Sequence, residues 1–151
     1  RLQGLLPRPE RYEVVHRTLY KVHQRVASRF RLGRVMLAGD AAHINNPLGG
    51  MGMNGGVHDA FNLTAKLIDV IEGRAPDSLL DQYERQRRTL AIEYINANTA
   101  RNKQLIEERD EAVRDRIHAE LRATAADPQA SMAYIRKTSM FDALERARSI
   151  A

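Results

Sequence analysis

The stretch from Gly33 to Asn54 constrains the fold more than any other, because it changes character twice. Arg34-Val35-Met36-Leu37-Ala38 is a compact apolar run between Gly33 and Gly39, the pattern of a strand buried on both faces. It ends at Asp40. The next segment carries Pro47 with Gly49, Gly50 and Gly52, which cannot continue a strand and reads as a loop. From there Val57, Ala60, Phe61, Thr64, Leu67, Ile68 and Ile71 recur at helical spacing, with Gly73 as a stop. The helix start is predicted between Gly52 and Asn54. A strand, a carboxylate at its carboxyl end and a glycine loop entering a helix follow the order in which α/β sheets place ligands.

The flanks differ from each other. Before Gly33, Tyr12 to Val15 is predicted as a short strand. Thr18 to Val26 alternates, with Tyr20, Val22 and Val26 on one face and Lys21, His23 and Arg25 on the other. After Gly73 the chain reads as helix after helix, rich in alanine, glutamate, arginine and leucine. Ser78 and Asp81 have the spacing of a capping box, ahead of a stripe of Leu79, Leu80, Tyr83, Leu90, Ala91, Tyr94 and Ile95. A further helix is predicted over Asn102 to Ala125 on Leu105, Ile106, Val113, Ile117 and Leu121. Asp127-Pro128 reads as an N-cap followed by proline at the first helical position. The last dozen residues are left open, to pack or to fray.

Charge and composition narrow the function classes. The net charge is +5, but acids are interleaved with the bases along the carboxyl-terminal half, and aromatics make up 5% of the chain. That argues for solvated helix faces and against nucleic-acid binding, which favours basic patches with rings to stack on bases. The absence of cysteine excludes disulfides and thiolate metal ligands and fits a cytoplasmic location. No apolar run approaches the roughly 20 residues of a membrane span. His16, His23, His58 and His118 form no metal-ligand spacing, so no metal site is expected.

The loop after Asp40 has its own chemistry. Glycines expose backbone N–H groups to a ligand, and the helix that follows adds unpaired N–H groups and partial positive charge at its amino terminus. The carboxylate is an acceptor suited to ligand hydroxyls. Together they suit a ligand with hydroxyls at one end and an electron-rich ring or phosphate at the other.

The run Gly39-Asp40-Ala41-Ala42-His43, then Pro47, Gly49-Gly50-Met51-Gly52-Met53-Asn54, then Asp59-Ala60 and Asn62-Leu63, resembles the second flavin-binding motif of the FAD-dependent aromatic hydroxylases related to 4-hydroxybenzoate hydroxylase and the phenol hydroxylases. The resemblance extends from Gly33 to Gly73. It implies an α+β piece of an α/β, Rossmann-like flavoprotein, with a few strands followed mostly by antiparallel helices. Residues 1–32 would end the middle, substrate-bearing sheet. Residues 33–73 would form the flavin-contacting half of the FAD domain, and 74–151 a helical region. Asp40 would accept from the ribityl hydroxyls and Pro47 would lie at the reactive side of the isoalloxazine. The backbone of Gly52, Met53 and Asn54 would face flavin N1 and the C2 carbonyl, with Gly39, Gly49, Gly50 and Met51 completing the cofactor-binding set. The implied reaction uses NAD(P)H, molecular oxygen and a small aromatic substrate, with oxygen transfer from a flavin C4a-hydroperoxide. No side chain of this stretch is assigned as catalytic.

Two departures stand out. Asn46 precedes Pro47 where the family commonly has a second proline, which would relax the loop or offer a polar contact near the substrate. The family's G-x-G-x-x-G unit for the ADP half of FAD is absent. The chain, starting at Arg1, is therefore expected to be a carboxyl-terminal part, to hold FAD poorly alone and to be inactive in isolation. An unpaired strand edge would also invite a homodimer.

Other residues take plainer readings. His43 is read as a hydrogen-bonded loop histidine, and Asp59 as a first-turn helix acid. Met51 and Met53 are read as loop packing, and Arg85, Arg87 and Arg88 as a solvated helix face. Two alternatives stay open: a related flavoprotein with different chemistry (a halogenase or reductase), and a non-enzymatic helical module that binds a partner.

Overall fold

The computed structural model describes residues 2–48 and 50–151, with Ile95 and Asn96 described by backbone alone. A four-residue helix α1, Leu2–Leu5, precedes an irregular stretch. Four two-residue strands follow: β1 Arg25–Val26, β2 Arg31–Leu32, β3 Val35–Met36 and β4 His43–Ile44, with a 3₁₀ turn Gly39–Ala41 before β4. β1 pairs antiparallel with β4, placing Val26 opposite His43, and β2 with β3 forms a hairpin that places Leu32 opposite Val35. The rest is helical: α2 Met51–Ile71, α3 Leu79–Leu90, α4 Ala97–Glu107, α5 Glu111–Ala126, α6 Pro128–Thr138 and α7 Phe141–Arg148. A π-helical segment, Ala91–Asn96, joins α3 to α4 without a break. No helix among the described residues is long and apolar enough to cross a membrane.

The predicted strands are shorter than the sequence pattern suggests. Tyr12 to Val15 and Thr18 to Gln24 are irregular, and only Arg25–Val26 is paired. Val35 is 67% exposed, so the Arg34–Gly39 run is not buried on both faces among the described residues. A strand forms only where a neighbour accepts its backbone groups, and here each ladder has two members.

α2 starts at Met51, slightly before the predicted start, with Gly50 as N-cap at φ 65°, a left-handed conformation glycine adopts without strain. Gly73, at φ 72°, follows its carboxyl end as predicted. Its orientation differs from the expected one. Val57, Phe61, Ile68 and Ile71 are exposed, Phe61 by 75%, while Met51, Gly55 and Asp59 face inward.

α3 is the central element. Leu80, Tyr83 and Leu90 are buried as the stripe predicted, and Ile95 lies outside the described side chains. The Ser78–Asp81 capping box does not form. Ser78 makes no side-chain cap, and Asp81 instead accepts from Arg31 Nη1 at 2.7 Å. Glu84 Oε2 accepts from the backbone N–H groups of Phe30 and Arg31 at 2.8 and 2.7 Å, fixing the hairpin to α3.

The helix predicted over Asn102 to Ala125 is two helices. Asp110 interrupts it as N-cap of α5, its carboxylate accepting from Val113 N at 3.2 Å. That side-chain bond satisfies an orphan donor of a new helix and so favours a restart there. Asp127 caps α6 through the N–H groups of Gln129 and Ala130, with Pro128 at the first position, as read from the sequence. The carboxyl-terminal residues pack. Met140, Ala143 and Ala147 join Phe30, Ala42, Met51, Tyr83, Leu90 and Ala91 in one apolar cluster.

Candidate functional site

The site is built where the 3₁₀ turn, the loop after β4 and the start of α2 meet. Gly39 has φ 60°, and its Cα lies so close to α2 that a Cβ added at Gly56 would stand 3.3 Å from it. Two glycines therefore let backbone approach backbone. Gly39 is tied at both ends, its N–H donating to Asp59 Oδ2 at 2.9 Å and its carbonyl accepting from Ala42 N at 2.8 Å. Asp40 sits between these two bonds, exposed, and its carboxylate has no partner among the described residues.

The loop to α2 is held by its own polar groups. Asn46 is buried, and its Oδ1 accepts from Leu48 N at 2.9 Å, so the side chain closes a local turn. The bond argues against a relaxed loop, since the carbonyl oxygen is engaged within it. Pro47 is exposed, and its carbonyl accepts from Gly50 N at 3.1 Å. Asn102 of α4 reaches the same loop, donating to Leu48 O at 3.4 Å. Gly49 lies outside the described residues.

Met51 is buried in the core, whereas Met53 and Asn54 are exposed in the first turn of α2. Asn54 Nδ2 donates back to Gly50 O at 3.2 Å. The first N–H groups of α2 have no partner within the helix, by the geometry of any helix start. The described members of the predicted set, Gly39, Asp40, Pro47, Gly50, Gly52, Met53 and Asn54, lie in one locality, with Met51 turned inward as a packing residue.

Beneath this surface lies a buried charge cluster that the sequence reading missed. Asp59 is 0% exposed and Arg87 1%. Asp59 Oδ1 accepts from Arg87 Nε at 2.6 Å, and Oδ2 lies 2.7 Å from His43 Nε2. Arg87 also donates to Gly55 O at 3.3 Å. A carboxylate has no proton to give, so His43 Nε2–H is the donor. His43 Nδ1 is buried with no hydrogen-bond partner among the described residues. The histidine is hydrogen-bonded, as read, but it lies on β4 rather than in a loop. Asp59 is not a first-turn acid, because α2 begins two turns earlier. Arg87 is not on a solvated face. Nor are its neighbours idle, since Arg88 donates to Ala27 O at 3.1 Å and Arg85 to Ala151 O at 2.6 Å.

Burial pushes the Asp59 carboxyl upward. The His43 hydrogen bond, the charge and hydrogen bond of Arg87 and the Gly39 N–H together outweigh it and hold the pKa below the usual carboxylate value of 3.8. Burial and the same Arg87 charge lower His58 and Lys66 nearby. The linkage has a sign. A depressed folded pKa contributes stability that is fully present above the unfolded pKa and is lost as pH falls through the folded one. The stability gap between the native chain and an Asp59→Asn variant should therefore be largest near neutrality and shrink below pH 3.8, read from urea midpoints at several pH values. A gap that widens on acidification would contradict the assignment.

A signal for the pair was present. Arg87 falls in phase with Tyr83 and Leu90 on the apolar side of α3, and with Tyr94 in the π-helical segment that continues it, and Asp59 in phase with Met51 and Gly55 on α2. A charge in register with an apolar stripe points to a buried partner.

Against known proteins, the model of the FAD binding domain matches residues 8–99, more than half of the chain. The chain belongs to the FAD binding domain family. Its cofactor is FAD. It is 44% identical over 121 residues to para-nitrophenol 4-monooxygenase of Pseudomonas sp. strain WBC-3, covering 80% of this chain and 30% of that one. It is 46% identical over 98 residues to a 3-(3-hydroxy-phenyl)propionate/3-hydroxycinnamic acid hydroxylase of Mycolicibacterium smegmatis, covering 65% and 17%. Among solved structures, p-nitrophenol 4-monooxygenase of Pseudomonas putida aligns with a TM-score of 0.75 at 40% identity, over 83% of this chain and 31% of that one. The chain thus spans less than a third of the length of these relatives.

Proposed function

We propose that this chain is the flavin-contacting part of a cytoplasmic, FAD-dependent monooxygenase that uses NAD(P)H and molecular oxygen to hydroxylate a small aromatic substrate. The observation that carries the reading is the exposed Asp40 carboxylate, without a partner among the described residues, on a turn packed against α2 through the Gly39–Gly56 contact. The similarity to two enzymes whose names specify a nitrophenol and a hydroxyphenyl substrate supports a phenolic ring. We place the chain within a Rossmann-like α/β parent fold, with residues 1–32, 33–73 and 74–151 as its three parts.

The residues fit the group. Asp40 would accept from ribityl hydroxyls. Glycine at positions 50 and 52 leaves the first turn of α2 approachable, and the N–H groups of Gly52, Met53 and Asn54 would face the electron-rich N1 and C2-carbonyl edge. A helix amino terminus favours negative charge there, by about 0.3–1 kcal/mol at an exposed site and more when partly buried. Pro47, exposed, would border the reactive side, and Gly39 and Gly50 would shape the cradle. Bound FAD supplies the redox and oxygen chemistry, and the protein orients it and excludes water. The exposed edge at Val35 supports self-association as a homodimer, which size-exclusion chromatography would read.

Asp40→Ala should weaken FAD binding by about 10- to 150-fold, the equivalent of losing about 1.5–3 kcal/mol of charge-assisted hydrogen bonding. Melting of the apoprotein should be unchanged, because Asp40 is exposed. Equilibrium titration of the full-length apoprotein with FAD, followed by flavin fluorescence, measures it. A protein that retains no flavin absorbance after gentle purification and FAD addition would sink the reading.

A further inference from the structure

We infer that Asp59 is a positioning residue for FAD, setting the turn that presents Asp40. The inference rests on the proposed flavin role of Asp40.

Four elements converge on one carboxylate. Asp59 comes from α2, His43 from β4, Arg87 from α3 and Gly39 from the 3₁₀ turn. The two oxygens have separate jobs. Oδ1 is held by Arg87 Nε at 2.6 Å, and Oδ2 receives His43 Nε2–H at 2.7 Å and Gly39 N–H at 2.9 Å. The first two contacts fix where the carboxylate stands, and the third passes that position to the turn. Gly39 is the residue before Asp40, and Ala42 N–H holds the other end of the turn through Gly39 O at 2.8 Å. Asp40 is thereby clamped on both sides while its own carboxylate makes no bond among the described residues.

Stability alone is a poor reason for such a cluster. A buried ion pair can often be replaced by apolar groups of similar volume with no loss of stability. What apolar groups cannot do is accept the Gly39 N–H. With Gly39 at φ 60° and its Cα close to Gly56, the orientation of its N–H is held by this carboxylate. The carboxylate supplies direction at the backbone, and Asp40 lies next in the chain.

The test uses the full-length protein and a double-mutant cycle in FAD affinity. Asp59→Asn should weaken FAD binding by about tenfold or more. The same change made in an Asp40→Ala background should weaken it no further, because the group being positioned is gone. A merely structural Asp59 predicts the opposite, with the two losses multiplying. Multiplying losses, or an Asp59→Asn protein within about twofold of the parent in FAD affinity, overturn the inference. If Asp59→Asn fails to fold, the charge-balanced pair Asp59→Leu with Arg87→Met takes its place in the same cycle. That pair should fold with a lowered melting temperature, because the Gly39 and His43 donors lose their acceptor, and should lose FAD affinity; its retaining parent affinity would also overturn the inference. Failure of the underlying reading looks different: the Asp40→Ala protein alone would then bind FAD as the parent does.

Discussion

Arg87→Ala should lose about 3–5 kcal/mol of folding stability, the cost of leaving a buried partner charge uncompensated. The guanidinium is 1% exposed and provides the donor to Asp59 Oδ1 at 2.6 Å. Once it is removed, a carboxylate with 0% exposure keeps, among the described residues, only His43 and Gly39 as donors. A domain stable by about 5–15 kcal/mol would give up a large share of that margin. The expected readout is a large fall in the urea midpoint, followed by circular dichroism. Arg85→Ala, on the opposite and exposed face of α3, should cost no more than about 1 kcal/mol, the loss of its exposed bond to Ala151 O. Equal effects of the two substitutions would mean that Arg87 is not the buried counter-charge.

The second large effect is expected at Tyr83. The ring is fully buried among Phe30, Met51 and Leu90, and its hydroxyl donates to Leu37 O at 2.6 Å. Burial, followed by the Asp59 charge, pushes the phenol upward, against the opposing influence of Arg87, so it stays protonated and a donor. Tyr83→Ala should cost about 3–5 kcal/mol, from lost burial and the cavity left behind. Tyr83→Phe should cost about 1–3 kcal/mol, since the ring remains but the Leu37 carbonyl loses its donor. Leu37 leads directly into Gly39 and Asp40, so the phenylalanine variant should also loosen protection of that turn in hydrogen exchange. Indistinguishable stabilities for the two variants would remove the hydroxyl from the account.

Much of the candidate site was legible in the sequence. Glycine spacing, the lone carboxylate and the onset of helical periodicity locate the loop without coordinates, because they are local properties of the backbone. The N-cap at Asp127 and the stop at Gly73 were legible for the same reason. What was not legible depends on partners distant in sequence. The alternation from Thr18 to Val26 describes a strand that needs a neighbour, and only Arg25–Val26 has one. The apolar stripe of α2 is real, yet the helix buries the face carrying Met51, Gly55 and Asp59 instead. A periodicity argument weighs hydrophobicity and discounts an aspartate. It cannot know that Arg87 stands opposite. Asn46, read as a departure from a family pattern, makes a side-chain bond to Leu48 N that closes the loop.

The π-helical segment Ala91–Asn96 has a consequence for how the molecule tolerates change. An α-helix advances about 100° per residue, so one residue more in a turn rotates everything after it by that angle. α4 is aimed by this local underwinding, in the phase that brings Asn102 to Leu48 O. Deleting a single residue between Ala91 and Asn96 would leave a regular helix of almost the same length, with its far end turned away from the loop. At this joint the chain is more sensitive to residue number than to residue type.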